Sequence, residues 1–326
     1  MSRKGARWAA VLMAYSVGCA LAWPSLASAA HRPPVHPRAH VVLRGALSLD
    51  KGLVTVPGRP IYVSGTVRPY VRGQIVRVWL AQNGKILKNR QVSMRVSKGG
   101  HAGYFKARVA SPVAGRIRVD LVHRATRHMA RLYVRRRLDV LTPQAGFGSR
   151  GPFVRLMQQR LSLLHFYMPV SGVYDANTGL ALDAYHRLLG WGTYQTLDTR
   201  TIDALLDGRG VFHIRFPGHG RHAEGDLANQ LLALIDGNHV YWIFPISSGK
   251  PSTPTILGDY QIYSREPGYN SEGMYYSDFF IRGYAIHGYD PAPDYPASHG
   301  CMRLPIGDAI SVYNWLAIGD WVDTYY

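Results

Sequence analysis

The chain reads as a multidomain, mainly β protein: a basic β-sandwich, a small three-helix unit, then a β-rich C-terminal region. Three observations predict this. From Val41 to Asp139 apolar and polar residues alternate with period two. From about Gly146 the apolar spacing becomes helical. From Phe212 short strand-like runs return, with one clear helix near the end.

The elements can be justified in order. Arg3, Lys4 and Arg7 precede an apolar stretch from Trp8 to about Trp23, and Ala27-Ser28-Ala29 offers a small-x-small cleavage pattern. Residues 1–29 are therefore expected to be a signal peptide, and the mature chain to be exported to the periplasm, cell wall or extracellular space. Residues 30–39 are Pro-rich and polar and read as a linker. Over 40–139, Phe105, Ala107 and Val109 alternate with Lys106 and Arg108. Ile117, Val119 and Leu121 alternate with Arg118 and Asp120, and Asn83-Gly84 signals a hairpin. Short strands at this spacing suggest an immunoglobulin-like β-sandwich. The alternation places Arg95, Lys106, Arg108 and Arg118 on outward faces.

Charge is unevenly spread. The formal net charge is +18, yet residues 31–140 hold 23 Lys and Arg against 3 Asp and Glu, a net of +20. Residues 212–326 hold 6 against 12, a net of −6. A basic sandwich beside an acidic C-terminal region suggests a polyanionic partner. With a leader present, the expected polyanions are anionic wall polymer or lipid headgroups, not nucleic acid.

Over 146–208 the spacing is helical. Val154, Met157, Leu161 and Leu164 form one stripe; Ala181, Ala184, Tyr185 and Leu188 a second; Ile202, Leu205 and Leu206 a third, behind a cap at Asp198 or Thr199. Gly148-Ser149-Arg150-Gly151, Ser171-Gly172-Val173-Tyr174-Asp175 and Ala184-Tyr185-His186 resemble the peptidoglycan-binding domain family. The resemblance implies a three-helix fold that holds glycan or stem peptide.

Over 212–326, Leu231–Ile235 and Val240–Phe244 flank a turn at Asp236-Gly237-Asn238. Further strands are expected at 260–263, 279–281 and 321–322. A helix is expected from Asp308, as its cap, to about Ile318, with Gly319 beyond it.

The chain has two cysteines, and Cys19 falls in the leader. The mature protein then carries Cys301 alone, which cannot close an intramolecular disulfide. A lone thiol flanked by His and Gly is a candidate nucleophile. A thiol reacts as thiolate, so it needs a base or a positive field. His287 lies 14 residues upstream, far enough for a separate strand to carry it across the site. His299 lies two residues before Cys301 and on extended backbone would face the same way. Gly288 and Gly300 lack Cβ and admit close approach. Gly300 and Cys301 offer N–H groups to an oxyanion, and Arg303 is placed to hold a carboxylate or brace the loop. A zinc site is not expected, because His287, His299 and Cys301 lack a fourth ligand.

His287-Gly288, with Ser298-His299-Gly300-Cys301-Met302-Arg303-Leu304, resembles the signature of the L,D-transpeptidase (YkuD-type) family. Pro245-Ile246-Ser247-Ser248-Gly249-Lys250, Thr253-Pro254-Thr255 and Gln230 agree with it. The resemblance implies a β-rich catalytic domain, without a cofactor, that forms peptidoglycan crosslinks through a cysteine acyl-enzyme. It assigns Cys301 as nucleophile, His287 as base and the Gly288 carbonyl as third member. Ser298, His299, Gly300 and Arg303 shape the pocket. Tyr289, where the family commonly has Thr, Asn or Ser, and Ile256-Leu257, inserted before the usual Gly, fall at the substrate groove. The rival expectations are a hydrolase on the same fold and a catalytically inactive wall-binding protein.

Overall fold

The computed structural model describes residues 34–326. The expected signal peptide at 1–29, with Cys19, lies outside the described residues. Among the described residues the protein is mainly β, with nineteen strands and four α-helices.

Ten strands form the basic region: β1 (Arg38–Arg44), β2 (Leu47–Leu49), β3 (Gly52–Thr55), β4 (Ile61–Arg68), β5 (Ile75–Gln82), β6 (Lys85–Ser93), β7 (Arg95–Val96), β8 (Gly103–Val109), β9 (Gly115–His123) and β10 (Leu132–Val140). They make a four-stranded sheet, β1-β4-β8-β7, and a six-stranded sheet, β2-β3-β10-β9-β5-β6. The alternating apolar residues of both, among them Val63, Val78, Phe105, Ala107, Ile117 and Val119, are buried in one cluster. Asn83 and Gly84 take φ of 47° and 78°, the left-handed pair that a tight hairpin between β5 and β6 requires.

Two expectations change here. The Pro-rich segment is docked from Val35 onward: Val35 donates to the His128 carbonyl and accepts from Ala130, and β1 opens at Arg38. Asp120, on the polar side of the β9 alternation with Arg118, is 1% exposed, because Arg118 and Arg135 close over it at 2.7 and 3.1 Å. Arg118 is thereby removed from the set of unpaired surface cations.

The three predicted helices are present: α1 (Pro152–Leu163), α2 (Ala176–Leu188) and α3 (Thr199–Asp207). Gly151 precedes α1 at φ 126°, and Pro152 takes the first helical position. Asp175 caps α2 by accepting from the Thr178 N–H, and Asp198, not Thr199, caps α3 by accepting from Thr201 N–H at 2.6 Å. Gly208, at φ 71°, ends α3 in the left-handed conformation. All the stripe residues named from the sequence are buried except Leu188, which is half-buried.

The C-terminal region comprises β11 (Arg221–Asp226), β12 (Leu231–Asp236), β13 (His239–Pro245), β14 (Gly258–Gln261), β15 (Ser264–Tyr269), β16 (Tyr275–Ile281), β17 (Tyr284–Gly288), β18 (Met302–Leu304), α4 (Ile306–Trp315) and β19 (Trp321–Tyr325). Its sheets are β13-β12-β11-β19-β14 and β15-β16-β17-β18, with Leu232, Phe244, Ile286, Met302 and Val322 buried together. The expected start of α4 at Asp308 is corrected. Pro305, with φ −52°, is the N-cap residue, Asp308 falls inside the first turn and is buried, and extended Leu316 ends the helix.

The helical unit packs against both of its neighbours. One apolar cluster joins Leu49, Val54 and Val56 of the sandwich to α1, α2 and α3, and these to Leu231, Ala233, Ile235, Val240 and Ile243 of β12 and β13. Two ion pairs reinforce the first junction, Arg59–Asp207 at 2.9 Å and Arg155–Asp50 at 3.0 Å.

Candidate active site

The site is built on a parallel pair. β17 and β18 lie side by side with His287 opposite Arg303 and Gly288 opposite Leu304. His287 thus comes from the end of β17, and Cys301 from the residue just before β18. Their 14-residue separation is the crossover that a parallel pair needs.

The segment around Cys301 is a tight turn, which corrects the extended arrangement expected for His299 and Cys301. Gly300 takes φ 120°, where an added Cβ would lie 2.5 Å from the Tyr284 ring. The aromatic ring that approaches Gly300 is therefore the protein's own. Ser298 locks the turn: its hydroxyl donates to the Cys301 carbonyl at 2.6 Å and accepts the Gly300 N–H at 3.1 Å. Gly288 is equally constrained, because a Cβ there would meet Ala309 of α4 at 2.8 Å.

A cleft of about 690 Å³ is lined by His287, Tyr289, Ser298, His299, Cys301 and Arg303, together with residues of the β15–β16 hairpin. Six sequence-predicted residues thus share one cavity. Gly288 contributes its carbonyl from beneath, and Gly300 packs under Tyr284. The sequence reading missed Glu266, Asn270 and Glu272, which also line the cleft. They lie in a Gly- and Tyr-rich hairpin whose pattern carries no chemical signature.

His287 is 2% exposed, and its Nδ1 donates to the Gly288 carbonyl at 2.9 Å. That bond sets the tautomer and leaves Nε2 with its lone pair. Burial pushes the His287 pKa down to about 4, with the Arg303 charge acting in the same direction. Burial pushes the Cys301 thiol up, against the opposing Ala285 N–H bond and Arg303 charge. Ala285 N–H reaches the sulfur at 3.4 Å. Both shifts favour the uncharged forms, thiol and neutral imidazole, at neutral pH.

Tyr289 organises the cleft. The Arg303 guanidinium sits 4.0 Å from its ring centroid, and the ring meets His287 edge-on at 5.8 Å. His299 points to Lys250, with Nε2 and Nζ 3.0 Å apart.

A brace runs behind the turn. Ser247 and Arg303 exchange backbone hydrogen bonds at 2.9 Å in both directions, and Ser298 N–H donates to Ser248 at 3.0 Å. Buried Gln230 holds this brace: its Oε1 accepts Ser248 N–H at 2.9 Å and its Nε2 donates to Ser248 Oγ at 2.8 Å. Arg187 of α2 then donates through Nη1 to the carbonyls of Gln230 and Ile246, both at 3.1 Å, while paired with buried Asp183. Sequence reasoning missed Arg187. Its one signal was an Asp four residues earlier, inside a helix with an apolar face.

A sequence model of the L,D-transpeptidase catalytic domain (YkuD) matches residues 220–323. The crystal structure of an L,D-transpeptidase from Xylanimonas cellulosilytica is 30% identical, with 56% of this chain and 100% of that chain covered at a TM-score of 0.50. The catalytic domain of an L,D-transpeptidase from E. faecium is 25% identical, with 33% of this chain and 98% of that one covered at a TM-score of 0.30. An L,D-transpeptidase from Mycobacterium smegmatis is 13% identical, with 88% and 100% covered at a TM-score of 0.29. No curated protein sequence matches the chain. The fold and the matched domain define a transpeptidase-type protein. The chain belongs to the L,D-transpeptidase family.

Proposed function

We propose that the protein is an exported enzyme that crosslinks peptidoglycan stem peptides through a thioester on Cys301. The reading rests on one observation: the one cysteine among the described residues and a buried imidazole with Nε2 unengaged line the same cleft. As Cys301 Sγ attacks the carbonyl between an L-centred diamino acid and the terminal D-alanine, Nε2 of His287 takes the thiol proton. The Gly288 carbonyl steadies the imidazolium, and the proton passes to the departing D-alanine amine. An amine of a second stem then displaces the sulfur, restoring the thiol. Gly300 N–H is occupied by Ser298 Oγ, which leaves the Cys301 N–H as the oxyanion donor of the turn.

Glu266 and Glu272 on the cleft wall support an amine acceptor, since carboxylates attract an ammonium group. The helical unit over 146–208 serves as a wall-binding element, and the basic region over 40–139 holds a polyanion outside the cytoplasm. Among the described residues no helix is long and apolar enough to cross a membrane.

The test uses purified protein, a tetrapeptide donor and an amine acceptor. Wild type should yield crosslinked product by mass spectrometry, and Cys301→Ala none. His287→Ala should lose roughly 10²–10⁴-fold, the usual worth of a general base. Product mass separates crosslinking from hydrolysis, and crosslinking by Cys301→Ala would end the proposal.

A further inference from the structure

The basic region has two outer faces, and the structure distinguishes them. All three carboxylates of residues 31–140 belong to the six-stranded side: Asp50 between β2 and β3, Asp120 on β9 and Asp139 on β10. Each is matched to arginine, Asp50 to Arg155, Asp120 to Arg118 and Arg135, and Asp139 to Arg116. That face is therefore of mixed sign: Arg116, Arg118 and Arg135 are compensated, while Arg77 on β5 and Arg137 on β10 have no carboxylate partner among the described residues.

The four-stranded face carries no carboxylate. Its register places Arg44, Tyr62 and Arg108 in one row across β1, β4 and β8. Val42, Ser64 and Lys106 form the next row, and His40, Thr66, Tyr104 and Arg95 a third. Arg38 and Arg68 stand opposite each other at the end. Neighbouring rows are two residues, roughly 7 Å, apart. All six cations are exposed, and none pairs with a carboxylate among the described residues. Lys106 Nζ lies 4.3 Å from the Tyr62 ring centroid, which holds its charge over the middle of the face. Beyond Arg38 and Arg68 the face runs into a cavity of about 440 Å³ lined by His36, Arg38, Arg68, Tyr70 and His101, again without a carboxylate.

We infer that the outer face of the four-stranded sheet is a docking track for a linear phosphodiester polymer, with one phosphate seated in the Arg38–Arg68 cavity. This rests on the reading of the basic region as a polyanion binder and assigns its surface. Like-charged rows at regular spacing repel one another, and a chain of anions laid across them relieves that repulsion at each row. Arginine's planar fork suits phosphate, and five of the six cations are arginine. A bilayer fits less well. The exposed apolar side chains in the rows are Val42 and Tyr104, and no Trp, Phe or Leu projects from them to enter a membrane.

The test uses the full mature chain and soluble poly(glycerol phosphate), with binding measured by calorimetry across a salt series. The first variant is Arg44→Gln, Lys106→Gln, Arg108→Gln; the second is Arg38→Gln, Arg68→Gln. The control is Arg116→Gln, Arg118→Gln, Arg137→Gln on the opposite sheet. Wild type should bind, with affinity falling as salt rises. The first variant should weaken binding at least about tenfold, and its log–log salt slope should flatten by about 2, as loss of three phosphate contacts on a single-stranded polyanion implies. The second variant should also weaken binding, and the control should stay near wild type. Crosslinking of a small soluble stem peptide should be unchanged in all three. No salt-dependent binding by wild type would overturn the polyanion reading itself. Binding lost equally in the control would keep that reading and overturn the assigned face. Tighter binding to phosphatidylglycerol vesicles than to the polymer would overturn the polymer as occupant.

Discussion

At Cys301 and His287, burial acts on both groups in the direction that keeps them neutral. The thiol is pushed up, and the imidazole is pushed down to about 4. Two consequences follow for pH. Alkylation of free Cys301 by iodoacetamide should rise with a midpoint above that of an ordinary thiol, because the reactive species is the thiolate. With His287 as the proposed base, turnover should fall on the acid side only near pH 4, where Nε2 becomes protonated and cannot accept the proton. Stopped-flow alkylation and a kcat/KM profile from pH 3.5 to 10 measure both limbs. An alkylation midpoint near pH 5 would point to a preformed thiolate–imidazolium pair and contradict this account.

Much of the site was legible at this scale, because its residues are contiguous in sequence. Ser298 to Arg303 and His287-Gly288 are short strings of unusual chemistry, and six of the singled-out side chains meet in one cleft. What was not legible is the turn. The extended arrangement of His299 and Cys301 fails because Gly300 sits at φ 120° beneath Tyr284, a contact across 16 residues that no local pattern encodes.

Among the elements, those with one-sided burial were readable. α1, α2 and α3 have apolar stripes that follow the 3.6-residue period, and β8 alternates along its whole length, whereas β9 alternates only from Arg116 to Val119 and is buried from there on. β18 was not readable: three residues in parallel pairing with β17 leave no period to detect. The brace was equally hidden, because Arg187 reaches acceptors 43 and 59 residues away.

Arg187 ties α2 to the segment that holds the Cys301 turn. Arg187→Met alone should cost about 3–5 kcal/mol, because Asp183 is left charged in the interior without its partner. Arg187→Met with Asp183→Leu removes both charges and should recover most of that stability. On the proposed mechanism the double variant should still lose about tenfold in kcat with little change in KM, since the brace positions Cys301 and does not touch substrate. Urea unfolding and steady-state kinetics separate the two effects; full turnover in the folded double variant would contradict the positioning role.

α4 carries a second element-level prediction. Burial pushes Asp308 up to about 7, against an ordinary aspartate near 3.9. The positive end of the helix favours the carboxylate by about 0.3–1 kcal/mol, less than the desolvation it opposes. The folded state therefore holds a proton that the unfolded state releases between about pH 4 and pH 7. Stability contributed by this group is full below pH 4 and declines as pH rises through 7. Asp308→Asn should flatten that decline and raise stability at pH 8 by roughly 1–3 kcal/mol. Thermal unfolding of both proteins at pH 4.5 and pH 8 measures it, and parallel shifts at both pH values would contradict it.

On the scale of the molecule, the three regions share apolar surface. Leu231, Ala233, Ile235, Val240 and Ile243 pack in the same cluster as the helices. Burying one such large side chain contributes about 1.5–3 kcal/mol, so several together rival a typical domain stability of about 5–15 kcal/mol. A chain starting at residue 212 should therefore unfold at least 10 °C lower than one starting at residue 141, or aggregate. Calorimetry of the two chains is the measurement, and equal melting would make the C-terminal region self-sufficient.

The same continuity has a geometric meaning. The cluster that runs from Leu49 through the helices to Ile243 packs both junctions, and the Arg59–Asp207 and Arg155–Asp50 pairs lie beside the first. If the cationic rows ride on a polymer strand, the thiol is carried at one set height above that strand. The protein then works as a gauge block: the thickness of its own fold dictates how far from the polymer the cleft holds Cys301.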